Sequence, residues 1–401
     1  MNSGILEKVK SIIRDIVDAQ RQTSKNAPFQ GTLEQLWRIF LYITGEAEVD
    51  QQVLEIASKI LVKSLSALYK TIIKYGAYTD DNQKEGKIFQ RDKFETILKT
   101  GEKTLNVFYS LGMTPQKKEY FASKVKIHEK LAPLFHINCS PKLHCPYRIE
   151  LYETPVALHF QSVVNLTHKA LFAESINIQK YMIQEHAVVD HIAYLAQEFA
   201  GQYADKKEIT TFSQTAYRVP VITSAFVILT FFDPSLQKFI SQFPGLIPSV
   251  VQLTRYNRKL RIGQNIELEY KLRTQSLQVL HRFWNYNDDP LIHQLIIECH
   301  YIDVVIEALS TAGGIGEEGH VANLLSFSNI NNSFIILRMY KDPKTRTQLI
   351  KTLEEQIRES GGAEELEAQI FKNDENNSWV MAYNAKQEMI NRFKYDLNYI
   401  Q

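Results

Sequence analysis

Ala187-Val188-Val189-Asp190-His191-Ile192, Gly245-Leu246-Ile247-Pro248-Ser249-Val250 and His300-Tyr301-Ile302-Asp303-Val304-Val305 are three versions of one pattern. Each follows an amphipathic stretch and opens a second apolar stretch that ends near Leu195, Leu253 or Leu309. The starts lie 58 and 55 residues apart. Recurrence on that scale predicts a solenoid, in which each helical unit buries its apolar face only against its neighbours. Such arrays present long surfaces to other macromolecules, so the repeat points to binding rather than to chemistry.

Composition agrees with a folded, water-facing chain. Of 401 residues, 44% are apolar and 23% charged, with a net charge of +1. That balance supplies no global field for nucleic acid or anionic lipid. Three cysteines, Cys139, Cys145 and Cys299, are too few to staple so long a chain and fit a reducing compartment. The most apolar run, Val219 to Phe232, spans 14 residues, whereas a membrane-spanning helix needs roughly 18–20.

Helical periodicity runs along the whole sequence, and apolar/polar alternation is nearly absent, so the class is all-α. Residues 1–135 read as an N-terminal helical region. Its first stripe, Ile5, Val9, Ile12 and Ile16, forms an end cap; a second face carries Leu33, Leu36, Trp37, Phe40 and Leu41. Tyr78 to Gln90, with Asp80 to Gly86 inside it, reads as a polar surface loop, and helical pattern resumes from Phe94. Residues 136–154 form an irregular loop, because Pro141 and Pro146 exclude a regular helix. Thr154 as N-cap with Pro155 at the first helical position then starts a new helix. Repeats fill 155–360, and after Ser360-Gly361-Gly362 a C-terminal helix over 361–401 caps the array.

The stretch Phe239-Ile240-Ser241-Gln242-Phe243-Pro244-Gly245-Leu246-Ile247-Pro248-Ser249-Val250-Val251-Gln252-Leu253 resembles the middle of an armadillo repeat. In that pattern a short helix meets a second one at a small residue. Ile296 through Leu309 is similar, with His300 in place of the small residue, as is Met182 through Ala196, with Ala187 there. The resemblance covers about residues 155–340 and implies a right-handed α-solenoid of armadillo-like or HEAT-like repeats. It also implies a longer third helix per repeat lining the inner face, for which Pro155–Phe172, Thr215–Phe232, Ile266–Trp284 and Glu318–Ile330 are the candidates. The family's peptide-binding members hold a ligand backbone with asparagine on that helix. Here the corresponding positions are His168, Thr230, Arg282 and Asn329. With one asparagine and no paired tryptophan, the resemblance does not carry over recognition of nuclear-import signals. Trp284, beside Arg282, is a further candidate anchor, since aromatic and arginine side chains dominate interface energies.

Two motifs compete with this reading. His136-x-x-Cys139-x4-His144-Cys145 contains zinc's preferred ligand types, but adjacent His144 and Cys145 rarely reach one metal, and the spacing matches no standard finger. It reads as an inter-helix loop. Gly314-Ile315-Gly316-Glu317-Glu318-Gly319 satisfies GxGxxG, yet a helix precedes it where a dinucleotide site needs a strand.

The expectation is therefore a non-catalytic scaffold or adaptor with no cofactor, no bound metal and no small-molecule substrate. It would bind a partner protein through His168, Thr230, Arg282, Trp284 and Asn329. The alternative is a regulatory subunit or co-chaperone clamping a folded partner domain; a metal-dependent enzyme at the His136–Cys145 loop is more remote. Placement would be cytoplasmic, with cytoskeletal, ciliary and nuclear settings open.

Overall fold

A computed structural model describes residues 51–76, 88–111, 115–151, 153–172, 175–204, 212–256, 266–285, 289–309, 320–371 and 378–396. Among these there are 17 α-helices and no β-strand, only an isolated bridge between Ile137 and Ile149. None of these helices is long and apolar enough to cross a membrane. The stripe from Ile5, the face from Leu33, residues 78–87 of the expected polar loop and the Gly314–Gly319 motif lie outside the described residues, while Ile88 to Gln90, expected in that loop, already belong to a helix. The chain divides into two compact units, Met1–Val188 and Val189–Gln401.

In the first unit, α1 (Gln51–Gly76) packs on α2 (Ile88–Leu111). Next come α3 (Pro115–Glu119), which widens into a π turn at Tyr120–Lys124, and α4 (Ile127–Leu131), which tightens into a 3-10 turn at Ala132–His136. Then α5 (Pro155–Phe172) and α6 (Ile176–His186) follow. Leu61, Leu65, Leu68 and Ile72 of α1 recur at helical spacing and are buried with Leu98, Leu105, Phe121, Ile127, Leu131 and Phe160. Gly101 allows α2 to approach both neighbours. A Cβ there would stand 2.8 Å from Leu68 Cδ1 and 2.9 Å from Phe160 Cε2. The start of α5 is as its sequence requires, with the Ala157 N–H donating to Thr154 Oγ1 at 3.1 Å.

The second unit is more regular. It takes up α7 (Val188–Ala204), whose first residue ends the first unit, and continues with α8 (Phe212–Thr230), α9 (Pro234–Ser241) and α10 (Leu246–Leu253). After these come α11 (Ile266–Asn285), α12 (Asp289–His293, extended by a π turn at Gln294–Glu298), α13 (Tyr301–Leu309) and α14 (His320–Arg338). The last are α15 (Pro343–Glu359), α16 (Gly362–Phe371) and α17 (Ser378–Asp396), two helices where a single cap was expected over 361–401. A long helix packs on the next long helix, α8 on α11, α11 on α14 and α14 on α17. A pair of helices separates each from its successor, and the second of each pair packs on the long helix that follows: α10 on α11, α13 on α14, α16 on α17.

Side-chain bonds tie the intervening pairs together over separations of 52 to 60 residues. Gln252 donates to the Ala200 carbonyl, Gln356 to that of Ile296 and Gln369 to that of Leu309, with donor and acceptor 52, 60 and 60 residues apart. Arg255 forks onto Glu307, 52 residues on, through two bonds of 2.9 Å.

The backbone confirms the three turns and adds two. Ala187, Gly245 and His300 have φ of 45°, 76° and 49°, all left-handed. Gly361, between α15 and α16, has φ 69°, and Lys126, before α4, has φ 50°. Left-handed backbone is strained for a residue with a Cβ, by about 1–2 kcal/mol. Only two of the five positions are glycine, which is why the sequence signal is weak. Ala187→Gly should therefore stabilise the protein by about 0.5–1 kcal/mol, after glycine's greater freedom in the unfolded chain is subtracted. Chemical denaturation of the variant showing no gain would contradict the strain.

Two long helices depart from their expected bounds. The helix expected over Thr215–Phe232 is displaced toward the N-terminus as α8. That expected to stop at Ile330 runs to Arg338, because Phe334 and Leu337 are buried beyond the polar Asn331-Asn332-Ser333 and carry it on.

Candidate metal centre

The loop after α4 has to satisfy its backbone without helix or sheet. Its neck is closed by two bonds, Asn138 N–H to the Ile149 carbonyl at 2.8 Å and Ile149 N–H to the His136 carbonyl at 2.9 Å. Asn138 Oδ1 accepts from the Leu151 N–H at 2.7 Å, and Gln161, reaching from α5, donates to the Ile137 carbonyl at 2.8 Å. Inside the loop, Ser140 caps a 3-10 turn at Pro141–Leu143, accepting from the Lys142 N–H at 3.3 Å. Asn138 and His144 adopt left-handed φ of 51° and 46°. Each reversal immediately precedes a cysteine and folds the chain back on itself.

As a result, three of the four loop donors converge. His136 Nδ1 stands 3.2 Å from Cys145 Sγ and 3.9 Å from Cys139 Sγ, and the three donor atoms lie within 4.8 Å of one another. His136 and Cys139 are buried and Cys145 is half-buried, while His144 faces solvent. His128 and His159 do not substitute for it. His128 packs edge-on against the Tyr181 ring, and exposed His159 meets Glu102 at 3.3 Å.

Behind His136 stands a relay that sequence reasoning missed. His136 Nε2 is 2.8 Å from His186 Nδ1, and His186 Nε2 is 3.1 Å from the Tyr181 hydroxyl. The chain of contacts can be satisfied in either direction, and the assignment that suits metal ligation is the following. His136 keeps a lone pair on Nδ1 toward the sulfurs, its Nε2–H donates to His186 Nδ1, and the His186 Nε2–H donates to Tyr181. Tyr147 adds a ring 5.3 Å from that of His136. Burial holds His186 below the ordinary histidine range. Burial first, and the neighbouring Cys145 second, push the Cys139 thiol far above the usual cysteine value. A thiol so raised is a poor nucleophile at neutral pH, whereas a metal cation would favour its ionised form.

The five residues expected to meet a partner are scattered through the packing. His168, Trp284 and Asn329 have no exposed surface and Thr230 retains 8%. His168 Nδ1–H donates to the Val164 carbonyl at 2.8 Å with the ring against Phe135, and Thr230 donates to the Val227 carbonyl at 2.8 Å. Trp284 stacks on Tyr301 with centroids 5.2 Å apart. Asn329, expected to offer its amide to a ligand, accepts instead from His281 Nδ1–H at 2.6 Å. Burial takes these four out of a partner's reach; Arg282 is exposed. One turn beyond Arg282 lies another side-chain amide. Exposed Asn285 donates to His281 Nε2 at 3.0 Å and accepts from Asn332 Nδ2 at 3.0 Å, linking α11 to α14 at the surface.

No protein-family model and no curated protein matches the chain. The two sites therefore stand on their own chemistry.

Proposed function

We propose that this chain is a non-catalytic protein-interaction scaffold, an armadillo-like α-solenoid that holds a segment of a partner protein along its long helices. The succession α8, α11, α14 and α17, each packed on the next with two helices intervening, supports this reading. Repetition of one helical layer generates a continuous row of side chains, the surface on which repeat proteins take extended ligands. The contact row here centres on Arg282, Asn285 and Asn332. The guanidinium supplies charge, and the two amides both donate and accept, as a peptide backbone requires.

Arg282→Glu tests it. The tagged full-length chain is incubated with extract of its native cells, and the proteins retained are compared with those held by the variant. We expect at least one specific partner to be lost while far-UV circular dichroism and the unfolding midpoint stay unchanged, since Arg282 is exposed. Undiminished retention of every partner would remove the long-helix face from consideration.

A further inference from the structure

We propose that His136 Nδ1, Cys139 Sγ and Cys145 Sγ form a zinc-binding site that pins the 137–154 loop. Two sulfurs and an imidazole with no carboxylate are the donor set of zinc, which prefers thiolate and histidine, and not of magnesium or calcium, which require oxygen. The spacing fits. A tetrahedron with zinc–sulfur and zinc–nitrogen bonds of about 2.0–2.3 Å has edges of about 3.5–3.8 Å, against observed nitrogen–sulfur separations of 3.2 and 3.9 Å. Adjustments of a few tenths of an ångström would close the site.

The surroundings match as well. A ligating histidine almost always donates its other N–H to a fixed partner, which sets its tautomer. His186, with Tyr181 behind it, stands 2.8 Å from His136 Nε2, where such a partner is needed. The donors sit on a frame held by backbone bonds at the loop's neck and by Gln161 from α5. Half-buried Cys145 gives a metal its way in. The fourth place falls to solvent or to one more side chain.

The site is tested on the full chain, purified under reducing conditions without chelator after expression with added zinc. Elemental analysis should find about one zinc per chain, and cobalt added to the stripped protein should produce the intense near-ultraviolet absorption of thiolate-to-cobalt charge transfer. Cys139→Ser with Cys145→Ser should abolish both signals. His186→Ala, which leaves all three ligands in place, should weaken zinc binding by roughly 10–100-fold without abolishing the charge-transfer band. The unmodified chain decides the matter if a variant fails to fold. Zinc at background level with no charge-transfer band in the reduced protein would overturn the site. So would full zinc content in the double serine variant, or a reduced chain that binds no metal and closes a Cys139–Cys145 disulfide in air. The outcome is independent of whether the long helices bind a partner.

Discussion

Replacing Trp284 with alanine is expected to remove about 3–5 kcal/mol of stability, the range for deleting a large aromatic side chain from a core. The ring lies at the end of α11, fully buried and stacked on the equally buried Tyr301 at the start of α13, with planes 18° apart. The stack adds roughly 0.5–1.5 kcal/mol beyond the area it covers. Domains have only about 5–15 kcal/mol in hand, so such a loss takes a large share of the total. Trp284 Nε1 is buried without a hydrogen-bond partner among the described residues. Trp284→Phe keeps most of the ring and discards that N–H, so it should cost under about 1.5 kcal/mol. Urea denaturation of both variants gives the comparison. A binding anchor would behave in the opposite way, losing a partner while keeping stability. An alanine variant within 1 kcal/mol of the parent would contradict the burial.

The second large effect is on the pH dependence of the first unit. Complete burial lowers His168 from 6.5 to about 4, outweighing its bond to the Val164 carbonyl. Between those values the unfolded chain binds a proton that the folded chain refuses, so stability rises with pH. The contribution is fully present above pH 6.5, declines as pH falls and is exhausted near pH 4. At 1.36 kcal/mol per pKa unit it amounts to about 3 kcal/mol. His128, His186 and His281 are also lowered by burial and slope the same way. The wild-type profile alone is therefore not diagnostic. The difference between wild type and His168→Leu is, and it should change by about 3 kcal/mol between pH 7 and pH 4 as the variant's profile flattens. Parallel profiles would show that His168 is solvated.

Local chemistry was legible from the residues. The helix Pro155–Phe172 begins where Thr154-Pro155 implies, since capping involves only neighbours along the chain. The turns at Ala187, Gly245 and His300 were readable because each stands between two amphipathic stretches. Gly361 was readable only as a break and Lys126 not at all, because a lysine in left-handed backbone carries no compositional mark. Of the loop's donors, Cys139 and Cys145 were visible as ligand types. That they meet at His136 while His144 turns away follows from two positive φ angles that spacing does not encode. His186 stands 50 residues from His136, and nothing between them announces the contact.

By itself, the sequence determined the all-helical class, the recurrence of one turn at spacings of 58 and 55 residues and the ligand types present in the His136–Cys145 loop. Tertiary structure decided which faces are buried. A helix with apolar residues around much of its circumference has several possible inner sides, and the neighbour that selects one lies 50 or 60 residues away. This is why Asn329 ended against His281 rather than in solvent, and why the surface amides of α11 and α14 are Asn285 and Asn332.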